Sequence, residues 1–456
     1  MNLRAILAIL LCKFLRFVSR VLHRGGTAMP GRFALKVCPN LLSILSRDVK
    51  TVAITGTNGK TTSSRMVEQA FADAGLSYFA NRSGANLISG ITTEFVMNST
   101  LGGKPKKEYA VIECDEAAAR RTFGQLRPKV VMVTNLFRDQ LDRYGEVTHT
   151  LDNIRLGIEN SPNAVLALNA DDSLCTSLAG TVKNRAVFYG VNTPIYRERV
   201  SELSDAPYCI RCKHEYVYDY VTYGHLGKYH CSSCGYSRPE PEIAVTRIDV
   251  NDQEHSEVVF RIGESEYQAK ISLPGGYNIY NACAAMVAGQ LMGLDPSVTV
   301  KSLSSFACGF GRMEKFQIDG VEVRMILIKN PAGCNQVLNF LTQIKEPFTF
   351  VACLNDRTQD GRDVSWIWDV DFERLTAMGD QIVSIDVSGR RAEDMALRFK
   401  YAGFPTDRLR VNKDYLSLIQ NAAALGKPVY VMPTYTAMLA LRSTISKAYG
   451  YKNYWE

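Results

Sequence analysis

Two groups of residues in this 456-residue chain have the types and spacing that chemistry needs. The first is Thr55-Gly56-Thr57-Asn58-Gly59-Lys60-Thr61-Thr62. Glycines let a backbone turn tightly and aim successive N–H groups at phosphate oxygens. A helix that starts at such a turn adds the partial positive charge of its N-terminus. Lys60 is placed to reach terminal phosphates, and the Thr61 hydroxyl to ligate Mg²⁺. The loop is shorter than G-x-x-x-x-G-K-[ST], since only two residues separate Gly56 from Gly59. The second group is Cys209-x-x-Cys212, followed after 18 residues by Cys231-x-x-Cys234. Paired CxxC knuckles predict a tetrahedral Cys₄ zinc site. Four thiolates fill the shell, so this metal would be structural. It would organise a segment with too little apolar material to fold alone.

The surrounding elements must hold these groups in place. Val52–Thr55 is a β-rich run before the loop, and Thr62–Ala74 a helical stretch after it. Ala110–Ile112, Val130–Thr134 and Ala164–Leu168 are further apolar runs with helix or turn signals between them. That alternation predicts a mostly parallel sheet covered on both faces. Over residues 201–241 cysteine, tyrosine, glycine and proline dominate and helical periodicity vanishes. Residues 243–273 alternate like antiparallel strands, and Tyr277–Leu291 reads as a helix of small residues. A second α/β unit begins near 318–324, with apolar runs at Phe348–Leu354, Gln381–Val387 and Val429–Met432.

Hydrophobic content of 46% and charged content of 22% exclude a disordered or fibrous chain. Twelve cysteines are far too few for a secreted disulfide scaffold. Eight Lys and Arg and no acid precede Asp48, so the whole-chain charge of +7 leaves −1 for the remainder. Residues 5–22 are mostly apolar, but Lys13, Arg16 and Arg20 interrupt them. That excludes a membrane-spanning helix and a cleavable signal peptide, and the expected location is the cytoplasm. On a helical wheel Lys13, Arg16, Arg20 and Arg24 share one face, and Ile6, Leu7, Leu10, Phe14, Phe17 and Val21 another. Either the helix packs on its own domain with the basic face solvated, or the basic face sits near anionic lipid.

GTNGKTT resembles the phosphate loop of the Mur ligases and folylpolyglutamate synthases. Tyr109–Ala117, YAVIECDEA, resembles the family segment whose glutamate helps hold Mg²⁺, which implies that role for Glu113. Asn135–Asp142 is similar to N-x-x-x-D-H-L-D, and Asn169–Asp172 to N-A-D-D. Leu273–Ala285 resembles the motif near the nucleotide base, which assigns Asn278 and Asn281 there. Gly311–Glu314 resembles G-R-x-E, whose arginine, here Arg312, contacts the nucleotide. In all, the resemblance implies that Gly56, Thr57, Asn58, Gly59, Lys60, Thr61, Thr62, Glu113, Asn278, Asn281 and Arg312 bind ATP and Mg²⁺. Two departures stand out. Gln140 replaces the family histidine, and no lysine occurs between Lys129 and Lys183, where the family usually carries a carbamylated one.

Lys329–Gly333, Leu354–Arg357, Asp360–Asp369 and Pro433–Met438, with the Cys₄ insert, resemble the MurT-type branch of the family. The implied fold is α/β. It has a Mur-ligase-type central ATP-binding domain over 1–316 with a zinc ribbon inserted at about 205–240. A Rossmann-like C-terminal domain follows over 317–456. The implied partner is a GatD-like glutamine amidotransferase in a heterodimer, and the implied substrate is lipid II at the inner face of the membrane. Ammonia from the partner would amidate the D-glutamate α-carboxylate. An aspartate of the C-terminal domain would complete the partner's Cys/His triad; Asp356 is the first candidate, with Asp360 and Asp363 next. A ligase that adds a whole amino acid predicts the missing histidine and lysine. A nucleic-acid-binding zinc ribbon predicts a basic surface, whereas residues 205–242 carry a net charge of −1.

Overall fold

A computed structural model describes residues 2–21, 28–82, 85–139, 147–196, 204–307 and 312–451, with the backbone alone at Arg312. Gln140 and Arg24 lie outside the described residues. Three helices come first: α1 (Leu3–Val21), α2 (Ala28–Val37) and α3 (Leu41–Leu45). Next come β1 (Lys50–Thr55), α4 (Lys60–Asp73), β2 (Tyr78–Ala80), α5 (Ile88–Met97), β3 (Tyr109–Glu113) and α6 (Glu116–Leu126). The first sheet continues with β4 (Val130–Val133), β5 (Val165–Asn169) and β6 (Ala186–Val191). After a two-stranded ribbon, β7 (Val217–Tyr223) with β8 (Leu226–His230), come β9 (Ile243–Asn251), β10 (Ser256–Ile262) and β11 (Ser265–Ile271).

The nine strands of the first sheet run in the order β11-β10-β9-β6-β5-β4-β1-β3-β2. From β2 to β9 all pairings are parallel, and β10 and β11 add an antiparallel edge. The central strands are mostly apolar because helices cover both faces, and β4 is apolar and buried throughout. The second sheet holds β12 (Arg312–Ile318), β13 (Val321–Ile326), β14 (Phe348–Cys353), β15 (Ile382–Ser388), β16 (Leu409–Val411) and β17 (Val429–Pro433). Its order is β12-β13-β17-β14-β15-β16. Its first strand begins at Arg312 and spans residues 316 and 317.

The N-terminal helix packs by the face opposite to the expected one. Leu7, Leu10, Phe14, Phe17 and Val21 are exposed, while Ala5, Ala8, Ile9, Cys12 and Ser19 are buried. Small side chains allow a close approach to α2 and α5. These two helices are themselves so near that a Cβ on Gly31 would lie 1.9 Å from the Ser89 carbonyl oxygen. Lys13 turns inward and donates to the Ser99 carbonyl at 2.6 Å. Among the described residues no helix is long and apolar enough to cross a membrane.

Candidate active site and metal centre

β1 lies between β3 and β4, so the chain crosses to opposite sides of it and leaves a crevice at its carboxyl end. The phosphate loop fills that position. Gly56 and Gly59 have φ of 121° and 84°, where side chains are strained. A Cβ on Gly56 would also stand 2.4 Å from Thr134 Oγ1, and one on Gly59 2.3 Å from Asn281 Oδ1. The Asn58 amide donates to Asn135 Oδ1 at 2.9 Å, and Thr57 Oγ1 donates to the Phe137 carbonyl at 3.1 Å. Asn135 and Phe137 therefore brace the loop.

Lys60 opens α4 and is buried. Its ammonium donates to Glu116 Oε1 at 2.6 Å, to the Thr57 carbonyl at 3.2 Å and to the Gly56 carbonyl. Burial pulls its pKa down, but Glu116, Glu113 and Asp139 outweigh that and hold it above the usual lysine value. Thr61 Oγ1 donates to Glu113 Oε2 at 2.9 Å, at the end of β3. A hydroxyl beside a carboxylate is a hard oxygen pair of the kind that suits Mg²⁺. Asn278 and Asn281 sit on the buried helix Gly276–Leu291, joined by a 2.9 Å hydrogen bond. Ser63 of α4 donates to Asn281 Oδ1 at 3.1 Å and ties that helix to the loop's. The Arg312 backbone opens β12; its side chain lies outside the described atoms.

A cleft of about 1080 Å³ brings the loop, Thr62, Glu113, Asn278 and Asn281 together with residues of the second sheet. The C-terminal unit closes on the loop directly. Asn330 Nδ2 donates to Asn58 Oδ1 at 3.0 Å, and Lys329 Nζ lies 2.5 Å from Asp139 Oδ2. Glu116 and Lys329 were not singled out from the sequence. The one signal for Glu116 was its place in YAVIECDEA, and for Lys329 its place beside Asn330-Pro331.

The aspartates after β14 part ways. Asp360 is buried, lines the cleft, and accepts from the Thr436 amide at 2.6 Å and from Thr436 Oγ1. Asp363 accepts from the Ser365 amide at 2.8 Å. Asp356 turns instead to Arg390 Nε at 2.9 Å and Arg391 Nη1 at 3.4 Å. Its partial burial raises its pKa, yet the two guanidinium groups more than offset this and hold it below the usual carboxylate range. β14 lies between β15 and β17, so Asp356 stands at the second sheet's own switch point.

The four cysteine sulfurs lie within 4.8 Å of one another, with Cys209–Cys234 at 3.5 Å and Cys212–Cys231 at 3.4 Å. A tetrahedron with Zn–S near ~2.3 Å needs S–S spacings of ~3.8 Å, so the donor set fits zinc. After each knuckle the chain turns through a left-handed residue, Lys213 at φ 63° and Gly235 at φ 73°. The ribbon is anchored to the segment that follows β5. Tyr229 and Tyr236 bond to Thr176, and Arg238 Nε donates to the buried Asp171 at 2.6 Å. Tyr280, on the helix that carries Asn278 and Asn281, donates to the same carboxylate at 2.5 Å.

Family models match twice: "Mur ligase middle domain" over residues 54–229 and "MurT ligase C-terminal" over 327–438. The lipid II isoglutaminyl synthase (glutamine-hydrolyzing) subunit MurT of Staphylococcus aureus (strain COL) is 34% identical, covering 97% of this chain and 98% of that one. Its counterpart in Streptococcus pneumoniae is 33% identical, over 98% of each. Among solved structures, a pseudomurein peptide ligase type C from Methanothermus fervidus matches with a TM-score of 0.66 at 22% identity. That match covers 89% of this chain and 80% of that one.

Proposed function

Because the chain belongs to the MurT family of Mur-type, ATP-dependent ligases, we propose that it amidates the D-glutamate α-carboxylate of lipid II to D-isoglutamine. The observation that carries this reading is the closure of a MurT-type C-terminal unit, through Asn330, onto a phosphate loop that holds Lys60 and the Thr61–Glu113 pair. A carboxylate is a poor acyl donor. Its oxygen attacks the γ-phosphorus of ATP, ADP leaves, and an acyl phosphate results. Ammonia then attacks the acyl carbon and expels inorganic phosphate. Lys60 offsets charge on the phosphoryl group in flight. Thr61 and Glu113 would hold Mg²⁺, which adds Lewis-acid stabilisation when bound. Asn278 and Asn281 line the cleft and would face the nucleotide, as would the Arg312 side chain by family resemblance.

Ammonia comes from a GatD-like glutaminase partner in a heterodimer, working at the cytoplasmic face of the membrane where the lipid-linked substrate is held. Asp356 is the positioning residue that orients the partner's histidine. Ammonia needs no amino-acid subsite, and this chain lacks the lysine that carries a second metal in related ligases. Lys329 instead brings a fixed cation into the cleft from the C-terminal unit. Cys209, Cys212, Cys231 and Cys234 hold a structural zinc.

The test is the co-purified complex with ATP, glutamine and lipid II. The expected result is ADP, phosphate and amidated lipid II in equal amounts, all lost with Lys60→Ala in a folded heterodimer. Mass spectrometry separates an amide from an added amino acid. A product extended by a residue, or wild-type turnover by the Lys60 variant, overturns the reading.

A further inference from the structure

We propose that the outer face of α1, continued by Met29 and Phe33 of α2, is an in-plane membrane-binding surface that takes anionic lipid. Leu3, Leu7, Leu10, Phe14, Phe17 and Val21 recur every three or four residues, so they form one stripe along the helix. All six are exposed, Phe14 by 62% and Phe17 by 66%. The opposite face is the one packed on α2 and α5. Soluble proteins rarely leave so long an apolar stripe in water, and one rimmed by charge marks an interaction site. The helix runs along its own domain rather than away from it, so its stripe is presented sideways, as a bilayer surface requires.

Charge decides the occupant. Arg4, Arg20, Arg32 and Lys36 are exposed around the stripe, and no acidic residue precedes Asp48. A second copy would set these like charges against one another. An anionic headgroup layer answers the exposed Arg4, Arg32 and Lys36, and Arg20 beyond its neighbour Glu94, at ~1 kcal/mol per basic residue held at the surface.

The surface also borders the cleft. Arg16, on the flank of α1, lines it together with the phosphate loop. A helix lying in the interface therefore holds the cleft beside the bilayer, within reach of a substrate whose lipid tail stays inserted. This last point rests on the function proposed above; the surface itself does not.

The test is flotation of the full chain, alone and with its glutaminase partner, on phosphatidylcholine vesicles with and without phosphatidylglycerol. Binding is expected on the anionic vesicles only, and it should weaken with salt. Phe14→Gln with Phe17→Gln should abolish it. Arg4→Gln with Lys36→Gln should weaken it by about tenfold or more. Both pairs should keep the wild-type Tm and ADP affinity, because these side chains point outward. The proposal is overturned if the wild type ignores anionic vesicles or the variants bind equally well. It is also overturned if the phenylalanine pair splits a homodimer or the heterodimer, since the stripe would then be a protein interface. An assay on a soluble stem peptide keeps the two readings apart. Loss of amidation on that peptide by the wild type speaks against the ligase reading, whereas vesicle binding is measured without substrate.

Discussion

At the scale of single residues the site is a balance of buried charge. Lys60 sits among Glu116, Glu113 and Asp139, and Lys329 neutralises Asp139 from the other unit. Removing one preorganised electrostatic group from a phosphoryl-transfer site typically costs about two to three orders of magnitude in kcat. Lys329 pairs with Asp139 rather than with the loop itself and is partly solvated, so its loss should cost less. Lys329→Met is expected to lower ammonium-driven ATP turnover by roughly tenfold to a hundredfold, with the Tm held, as read by steady-state kinetics and thermal unfolding. An unchanged kcat would show that Lys329 only clips the two units together. The loop residues are legible in the sequence because they are contiguous and their chemistry is local. Glu116 and Lys329 are not, because their roles depend on which chain segments meet; Lys329 finds Asp139 across 190 residues.

Among the elements, the ribbon and α1 show opposite limits of legibility. Cys209, Cys212, Cys231 and Cys234 declare their site by spacing, and their sulfurs meet as expected. The helix declares its period and not its orientation. A wheel ranks faces by hydrophobicity, whereas α1 is seated by the small size of Ala5, Ala8 and Cys12 against two helices already in close contact. The short edge strands β2 and β16, of three residues each, carry too little pattern to be found at all. For the ribbon, one zinc per chain is expected by elemental analysis of a chelator-free preparation. Cys209→Ser or Cys231→Ser should lose it, and residues 205–240 should then gain hydrogen exchange before the rest of the first sheet does. A zinc-free wild type with a protected ribbon would refute the metal assignment.

For the whole molecule, each sheet opens a crevice at its own switch point, one holding the phosphate loop and the other ending in Asp356. The assignment of Asp356 to the partner's site predicts two separable activities. Arg390 and Arg391 hold the Asp356 carboxyl below the usual carboxylate range, as the proposed orienting role requires. Asp356→Asn should collapse glutamine hydrolysis by the complex while exogenous ammonium still drives amidation. Equal loss of both would place Asp356 in the ligase chemistry or the fold. The alternation of runs makes the two α/β units legible, but the cleft between them is a product of tertiary closure. The charge distribution has a further consequence. With eight cations ahead of Asp48 and a net −1 behind it, the molecule is a permanent electric dipole whose positive pole lies in its first helices. A distant polyanion exerts a torque on such a body before any contact forms. It arrives already turned, and low ionic strength speeds the encounter, however apolar the surfaces that finally meet.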